Sequence, residues 1–305
     1  MSGRVEISAA FVVYLPLCFC ETRSYYLPSM NNGRTVGATI VVLSFLLASV
    51  ADGQQVRFFP VNKDIVEAHL KDAPSKNEDR KVRLEELFQD AGCKDENLAN
   101  QKVNGSRLPN VICTLSGSSE SVIIVGAHFD NQGAGSGIVD NWSGASLLPH
   151  LYQSLSKERR HHVFRFIGFT DEEKGLVGSR FYAERLKKEE ITNVKAMINL
   201  DTLGLGPAEL WLNRGDKALA NLFFGVAGAL ELPRIAMNVE QVGSTDSESF
   251  RQLKIPSLTV HSITQRTLPI LHSPADKLSA INLDDYYQSY RLLTAYLIVL
   301  DQQIP

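Results

Sequence analysis

Residues 121–155 read S-V-I-I-V-G-A-H-F-D-N-Q-G-A-G-S-G-I-V-D-N-W-S-G-A-S-L-L-P-H-L-Y-Q-S-L, and no other stretch restricts the fold as much. The apolar, β-branched run at 122–125 has the pattern of a buried strand. It stops at Gly126-Ala127 and gives way to His128-Phe129-Asp130. A glycine-rich loop then delivers Asp140-Asn141 to the start of a helical pattern. A histidine and carboxylates at the carboxyl end of a buried strand occupy the place where open α/β sheets bind ligands. The competing reading is a surface histidine among solvated aspartates. Only partners further along the chain decide between the two.

The flanking chain alternates as an α/β sheet requires. Helical spacing covers 62–71 and, more strongly, 77–91, with Val82, Leu84, Leu87 and Phe88 on one face and Gly92 placed as a C-cap. Residues 94–108 are polar and contain the sequon Asn104-Gly105-Ser106. A strand at 110–115 is expected to pair with 121–127 across the intervening S-G-S-S turn. Further strands are expected at 163–169, 194–200, 208–212, 234–239 and 256–260. Helices are expected at 178–188, 218–230 and 283–300. Pro149 predicts a kink or a late start in the helix after Asp140. The fold class is therefore α/β, a mostly parallel mixed sheet with helices on both faces. No linker marks a second domain, so 52–305 is expected to form one.

Composition sets outer bounds. With 44% hydrophobic and 21% charged residues the chain can build a sizeable core. A net charge of −3 without a basic block argues against nucleic acid as a partner. From Met30 the chain shows a short basic region, an apolar run and small residues at Ser49 and Ala51, the pattern of a signal peptide over 30–51. Residues 1–29 are then an extension from a mis-assigned start, or part of a longer leader. The apolar run is shorter than the roughly 20 residues needed to span a bilayer, so no stable membrane insertion is expected after cleavage. The expected location is secreted or periplasmic. Beyond the leader only Cys93 and Cys113 remain, and in an exported chain such a pair suggests a disulfide, with two buried thiols as the alternative.

Three more sites carry acids or a histidine. Residues 163–169 lead into T-D-E-E-K-G-L-V-G-S with Glu172 and Glu173, 194–200 lead into Asp201, and L-H-S-P-A-D-K-L places His272 and Asp276 before the last helix. Alone, each reads as a solvated helix start, a turn or a loop residue. Several strand ends turning polar in the same way are hard to explain blandly. In this order, H-F-D, G-x-x-D-N-x-S-G, E-E-x-G-L-x-G-S, N-L-D and H-S-x-x-D resemble the co-catalytic double-zinc aminopeptidases, relatives of glutamate carboxypeptidases, glutaminyl cyclases and the transferrin receptor. The resemblance runs from about Arg80 to the C-terminus and implies the zinc-exopeptidase, phosphorylase/hydrolase-like fold.

It also implies two Zn²⁺ ions. His128 and Asp201 would hold one, Glu173 and His272 the other, and Asp140 would bridge them. Imidazole and carboxylate donors suit zinc independently of the resemblance. Asp130 would orient the His128 ring, and Glu172 would be the general base for a metal-bound hydroxide mechanism. The substrates implied are peptides with a free N-terminus. Where relatives often show S-D-H-x-x-F-x-x-x-G-I-P, this chain has T-D-S-E-S-F-R-Q-L-K-I-P at 245–256, which leaves side-chain preference open. Leu271 stands where some relatives carry a tyrosine before the last histidine. The other readings are a glutaminyl cyclase on the same fold and a non-catalytic binding ectodomain, against which the complete set of ligands speaks. His69, His150, His161, His162 and His261 match no motif. Oligomeric state is open.

Overall fold

In a computed structural model the strands that read as continuous apolar runs form the centre of an eight-stranded sheet. The structure describes residues 5–9, 54–238 and 243–305, so the expected leader lies almost wholly outside the described residues. In chain order the elements are β1 (Val5–Ala9), β2 (Gln54–Phe58), α1 (Lys63–Lys71), α2 (Asn77–Asp90), β3 (Leu98–Gln101), β4 (Asn110–Leu115), β5 (Val122–His128), α3 (Ser143–Ala145) and α4 (Leu147–Leu155). There follow β6 (Val163–Phe169), α5 (Val177–Glu184), α6 (Lys188–Asn193), β7 (Val194–Leu200), β8 (Glu209–Leu210), α7 (Lys217–Ala229), β9 (Ile235–Ala236), α8 (Ser247–Arg251), β10 (Ser257–His261) and α9 (Leu283–Gln303). No helix among the described residues is long and apolar enough to cross a membrane.

The strand order is β3-β4-β6-β5-β7-β10-β8-β9, and β6, β5, β7 and β10 run parallel through the middle. Every residue of β5 is buried, as expected of a strand covered on both faces. On one face α5 and α8 close a cluster of Ile124, Ile167, Phe169, Tyr182, Met197 and Phe250. On the other α4 packs on β5 and β6, and is itself covered by α2 and α9. Three tyrosines fasten α9: the Tyr286 hydroxyl donates to Ser143 O, Tyr296 to Leu219 O, and the Tyr290 hydroxyl accepts from Val61 N. The helix begins at Asn282, whose Oδ1 accepts from the N–H groups of Asp284 and Asp285.

Three expectations need correction. The strand at 110–115 does not pair with 121–127, because β6 lies between them and pairs antiparallel with β4 and parallel with β5. The turn after β4 docks instead on the segment before β6, where Ser118 N and Ser119 N donate to Arg160 O and His161 O. Gly117 permits this approach, since a Cβ there would lie 2.3 Å from the His162 carbonyl. Val82 is 50% exposed, and Arg80 takes its place on the buried face of α2. The polar segment at 94–108 contains the edge strand β3, which polarity hid. Near Pro149 the helix does start late: α3 ends at Ala145, and α4 opens two residues before the proline.

Cys93 and Cys113 are joined in a disulfide that ties the end of α2 to β4 across a separation of 20 residues. Loop-closure entropy for a bridge of that span corresponds to about 3 kcal/mol. We expect Cys93→Ser/Cys113→Ser to lower the free energy of unfolding by roughly that amount in urea titration. An unchanged midpoint would show that the bridge contributes nothing.

Candidate metal centre

Each predicted site residue sits at the carboxyl end of a central strand or in the loop that caps it. His128 ends β5, Glu172 and Glu173 follow β6, Asp201 follows β7, and His272 lies in the loop before α9. Asp140 comes from the turn at Ile138–Trp142, where the Asp140-Asn141 peptide is cis. The strands are short and parallel, so their ends open onto one cavity of about 260 Å³. His128, Asp140, Glu172, Glu173, Asp201 and His272 all line it.

The donors fall into two groups, His128–Asp140–Asp201 and Asp140–Glu173–His272, with the ligand atoms of each within 4.8 Å of one another. Asp140 belongs to both. Its Oδ1 lies 3.2 Å from His128 Nε2 and its Oδ2 lies 3.2 Å from His272 Nε2. Glu173 Oε2 is 3.1 Å from His272 Nε2, and Asp201 Oδ1 is 3.8 Å from His128 Nε2. Two imidazoles and three carboxylates, one shared, form a donor set that fits a pair of divalent cations of the zinc type. Glu172 stands beside both groups and belongs to neither.

Asp130 does two things. Its Oδ1 faces His128 Nδ1 at 3.4 Å, and its two oxygens accept the backbone N–H groups of Glu172 (3.0 Å) and Glu173 (3.2 Å). One buried carboxylate thus sets both the imidazole and the glutamate pair.

Electrostatics follow from the crowding. Burial pushes the Glu172 carboxyl up to about 10, helped by Asp246, Asp201 and Asp140 against the opposing pull of His128. Burial likewise raises Glu173 to about 7. The hydrogen bond to Asp140 leads in lifting His272 to about 9, and Asp140 is held well below the carboxylate range by the two histidines despite its burial.

Several residues of the centre carried no ligand, base or orienting role in the sequence reading, although Asn141 read as part of the site's architecture. Asp276 Oδ1 and Oδ2 accept the N–H groups of Val139 (2.8 Å) and Asp140 (3.1 Å), so the last motif reaches back to the shared carboxylate. The Arg80 guanidinium is fully buried and donates to the carbonyls of Pro74, Phe129, Ser136 and Gly137. A Cβ on Gly137, which has φ 60°, would lie 2.8 Å from Arg80 Nη2. Asn141 is buried with both ends engaged: Nδ2 donates to Leu200 O, and Oδ1 accepts from Gly144 N and Thr202 N. Asp246 is buried beside the site, and burial raises it to about 7 against the pull of His128 and Ser179. His261 also lines the cavity. Its Nδ1 accepts from Ile263 N, so Nε2 carries the proton and faces Met237 O at 3.2 Å, which makes the ring a neutral wall. Asp276 and Asn141 stand inside the motifs that carry the family resemblance, and Asp246 in the stretch compared with relatives at 245–256. Arg80 and His261 had no such signal.

The family model described as Peptidase family M28 matches residues 110–297. Leucine aminopeptidase 2 of Trichophyton equinum is 36% identical over 124 residues, 40% of this chain and 25% of that protein. The structure of a zinc aminopeptidase from Bacillus subtilis aligns with a TM-score of 0.58 at 24% identity, covering 63% of this chain and 49% of that one. Porphyromonas gingivalis glutaminyl cyclase aligns at 0.63 and 16% identity over 78% of this chain and 96% of its own. The chain thus spans about a quarter of the first of these aminopeptidases and about half of the second.

Asp276→Asn replaces one of two acceptors with an amine that opposes a backbone N–H. We expect zinc affinity to fall roughly 10–100-fold while far-ultraviolet circular dichroism is retained. Unchanged zinc affinity would show that Asp140 needs no such support.

Proposed function

The chain belongs to peptidase family M28, and on that premise we propose that it is a metal-dependent aminopeptidase that removes the first residue of peptides with a free N-terminus. The observation that supports this most is the Asp140 carboxylate, whose two oxygens face two histidines from different elements, with Glu172 beside them in the same cavity. His128, Asp140 and Asp201 would hold one zinc ion, and Asp140, Glu173 and His272 a second. Bound there, zinc would supply Lewis acidity towards the scissile carbonyl and lower the pKa of water.

The residues of the chain do the rest. Glu172 takes the proton of the attacking water and passes it to the leaving amine, a task suited to a carboxylate that lines the cavity beside both donor groups and belongs to neither. Asp130 keeps Glu172 in place through the backbone and keeps His128 facing the donor group. Leu176, Trp211, Ile263 and Leu271 form an apolar part of the cavity wall, with Trp211 and Ile263 packed against Met237 and Leu268. That surface suits an apolar first side chain. His261, fixed as the neutral tautomer, adds no charge to the wall. The disulfide fits an extracytoplasmic location, secreted or periplasmic.

The test is mass spectrometry of the full chain, loaded with zinc, acting on leucine-, aspartate-, lysine- and glutamine-initiated peptides. Loss of the first residue is expected, with leucine favoured over aspartate or lysine by roughly tenfold or more. Loss of ammonia from the glutamine peptide with the chain intact would mean a cyclase, and loss of the last residue a carboxypeptidase.

Glu172→Gln keeps the shape and removes the base. Turnover should fall by roughly 10²–10⁴-fold with zinc content unchanged by elemental analysis. Loss of zinc in that variant would make Glu172 a ligand.

A further inference from the structure

Thr202 is fully buried, lines the cavity and has φ 60°. The left-handed region is a genuine outlier for a β-branched residue, and such residues persist only where the surroundings over-determine them. Four hydrogen bonds do so here. Thr202 N donates to Asn141 Oδ1 at 3.1 Å, and Thr202 O accepts from Ser262 N (2.9 Å) and Ser262 Oγ (2.8 Å). These three grip the backbone and would hold any side chain at this position. The fourth belongs to the threonine: Oγ1 lies 3.1 Å from Asp201 Oδ1. That oxygen is the one 3.8 Å from His128 Nε2. An ionised carboxylate only accepts, so the hydroxyl must donate.

We propose that Thr202 is a positioning residue whose hydroxyl locks the Asp201 carboxylate in its ligand orientation. This rests on the two-zinc reading above. Asp201 shares the cavity with Asp140 and Glu172, and a carboxylate free to turn about its last side-chain bond would not keep one oxygen aimed at the His128 side. The threonine supplies a donor that holds it, and branching at Cβ restricts χ1 so that the donor itself stays in place. The same residue therefore combines a left-handed backbone with this contact. Backbone grip and hydroxyl thus act in series, from Asn141 and Ser262 through Thr202 to Asp201.

Thr202→Val keeps the shape and the β-branch in the same backbone conformation and deletes only the donor. Thr202→Ser restores the donor. Zinc binding to the full chain is measured by competition with a chromophoric chelator at fixed pH. Wild type is expected to bind two equivalents. Thr202→Val should weaken one of them roughly 10–100-fold and leave the other within a few-fold, while Thr202→Ser stays close to wild type. Should the valine variant fail to fold, Thr202→Ala brings no β-branch into the left-handed region and should show the same loss. Two equivalents bound equally well by wild type and by the variants lacking the hydroxyl would overturn the role of Thr202 alone. So would a serine variant as weak as the valine one. Fewer than two equivalents in wild type would overturn the two-zinc reading, and this inference with it.

Discussion

One carboxylate shared between two histidines organises this structure. Asp140 can face His128 and His272 together only if a strand end and a loop that begins more than a hundred residues later meet above it. Its own backbone must also be fixed, and Asp276 does this by accepting the N–H groups of Val139 and Asp140. Arg80 holds the neighbouring carbonyls of Phe129, Ser136 and Gly137. Buried charges are tolerated only when paired or hydrogen-bonded. The turn that presents Asp140 meets that requirement from three separate elements.

The balance of charge at the cavity explains why these supports are needed. Asp130, Asp140, Glu172, Glu173, Asp201 and Asp246 crowd around two imidazoles. Burial holds Glu172, Glu173 and Asp246 well above the usual carboxylate range. An excess of buried acids is costly for the fold by itself and favourable for a site that takes up cations. Fixed donors reduce the cost and also set the direction of the oxygens: the Glu172 and Glu173 backbone N–H groups donate to Asp130, and the Thr202 hydroxyl donates to Asp201.

The strands were legible where both faces of the sheet are covered. Asn110–Leu115, Val163–Phe169 and Val194–Leu200 coincide with the expected ranges because most of their residues are buried and apolar, with the charged residues Arg165 and Lys195 only where burial is partial. β3 was not legible, since an edge strand with two exposed residues carries no such run. Pairing was misread for a different reason. A short turn between two strands suggests a hairpin, but sequence proximity says nothing about a third strand inserted from 40 residues downstream, as β6 is. Val82 matched a helical stripe, yet the buried face of α2 includes Arg80, whose donors find backbone carbonyls that exist only in the folded chain.

The sequence by itself determined the chemistry on offer: which strand ends carry acids and histidines, and in what order. That His128, Asp140, Glu172, Glu173, Asp201 and His272 stand at or after strand ends was readable locally, while their grouping as one site rested on the order of the motifs and the resemblance it carries. The tertiary structure decided which of them face one another, that Asp140 belongs to both donor groups, that Asp130 accepts from the glutamate pair as well as facing His128, and that Asp276 and Thr202 bond directly to the Asp140 backbone and the Asp201 carboxylate. These are relations between side chains and backbone groups far apart in the chain. They arise only when parallel strands bring their carboxyl ends to one rim, and no local pattern records them.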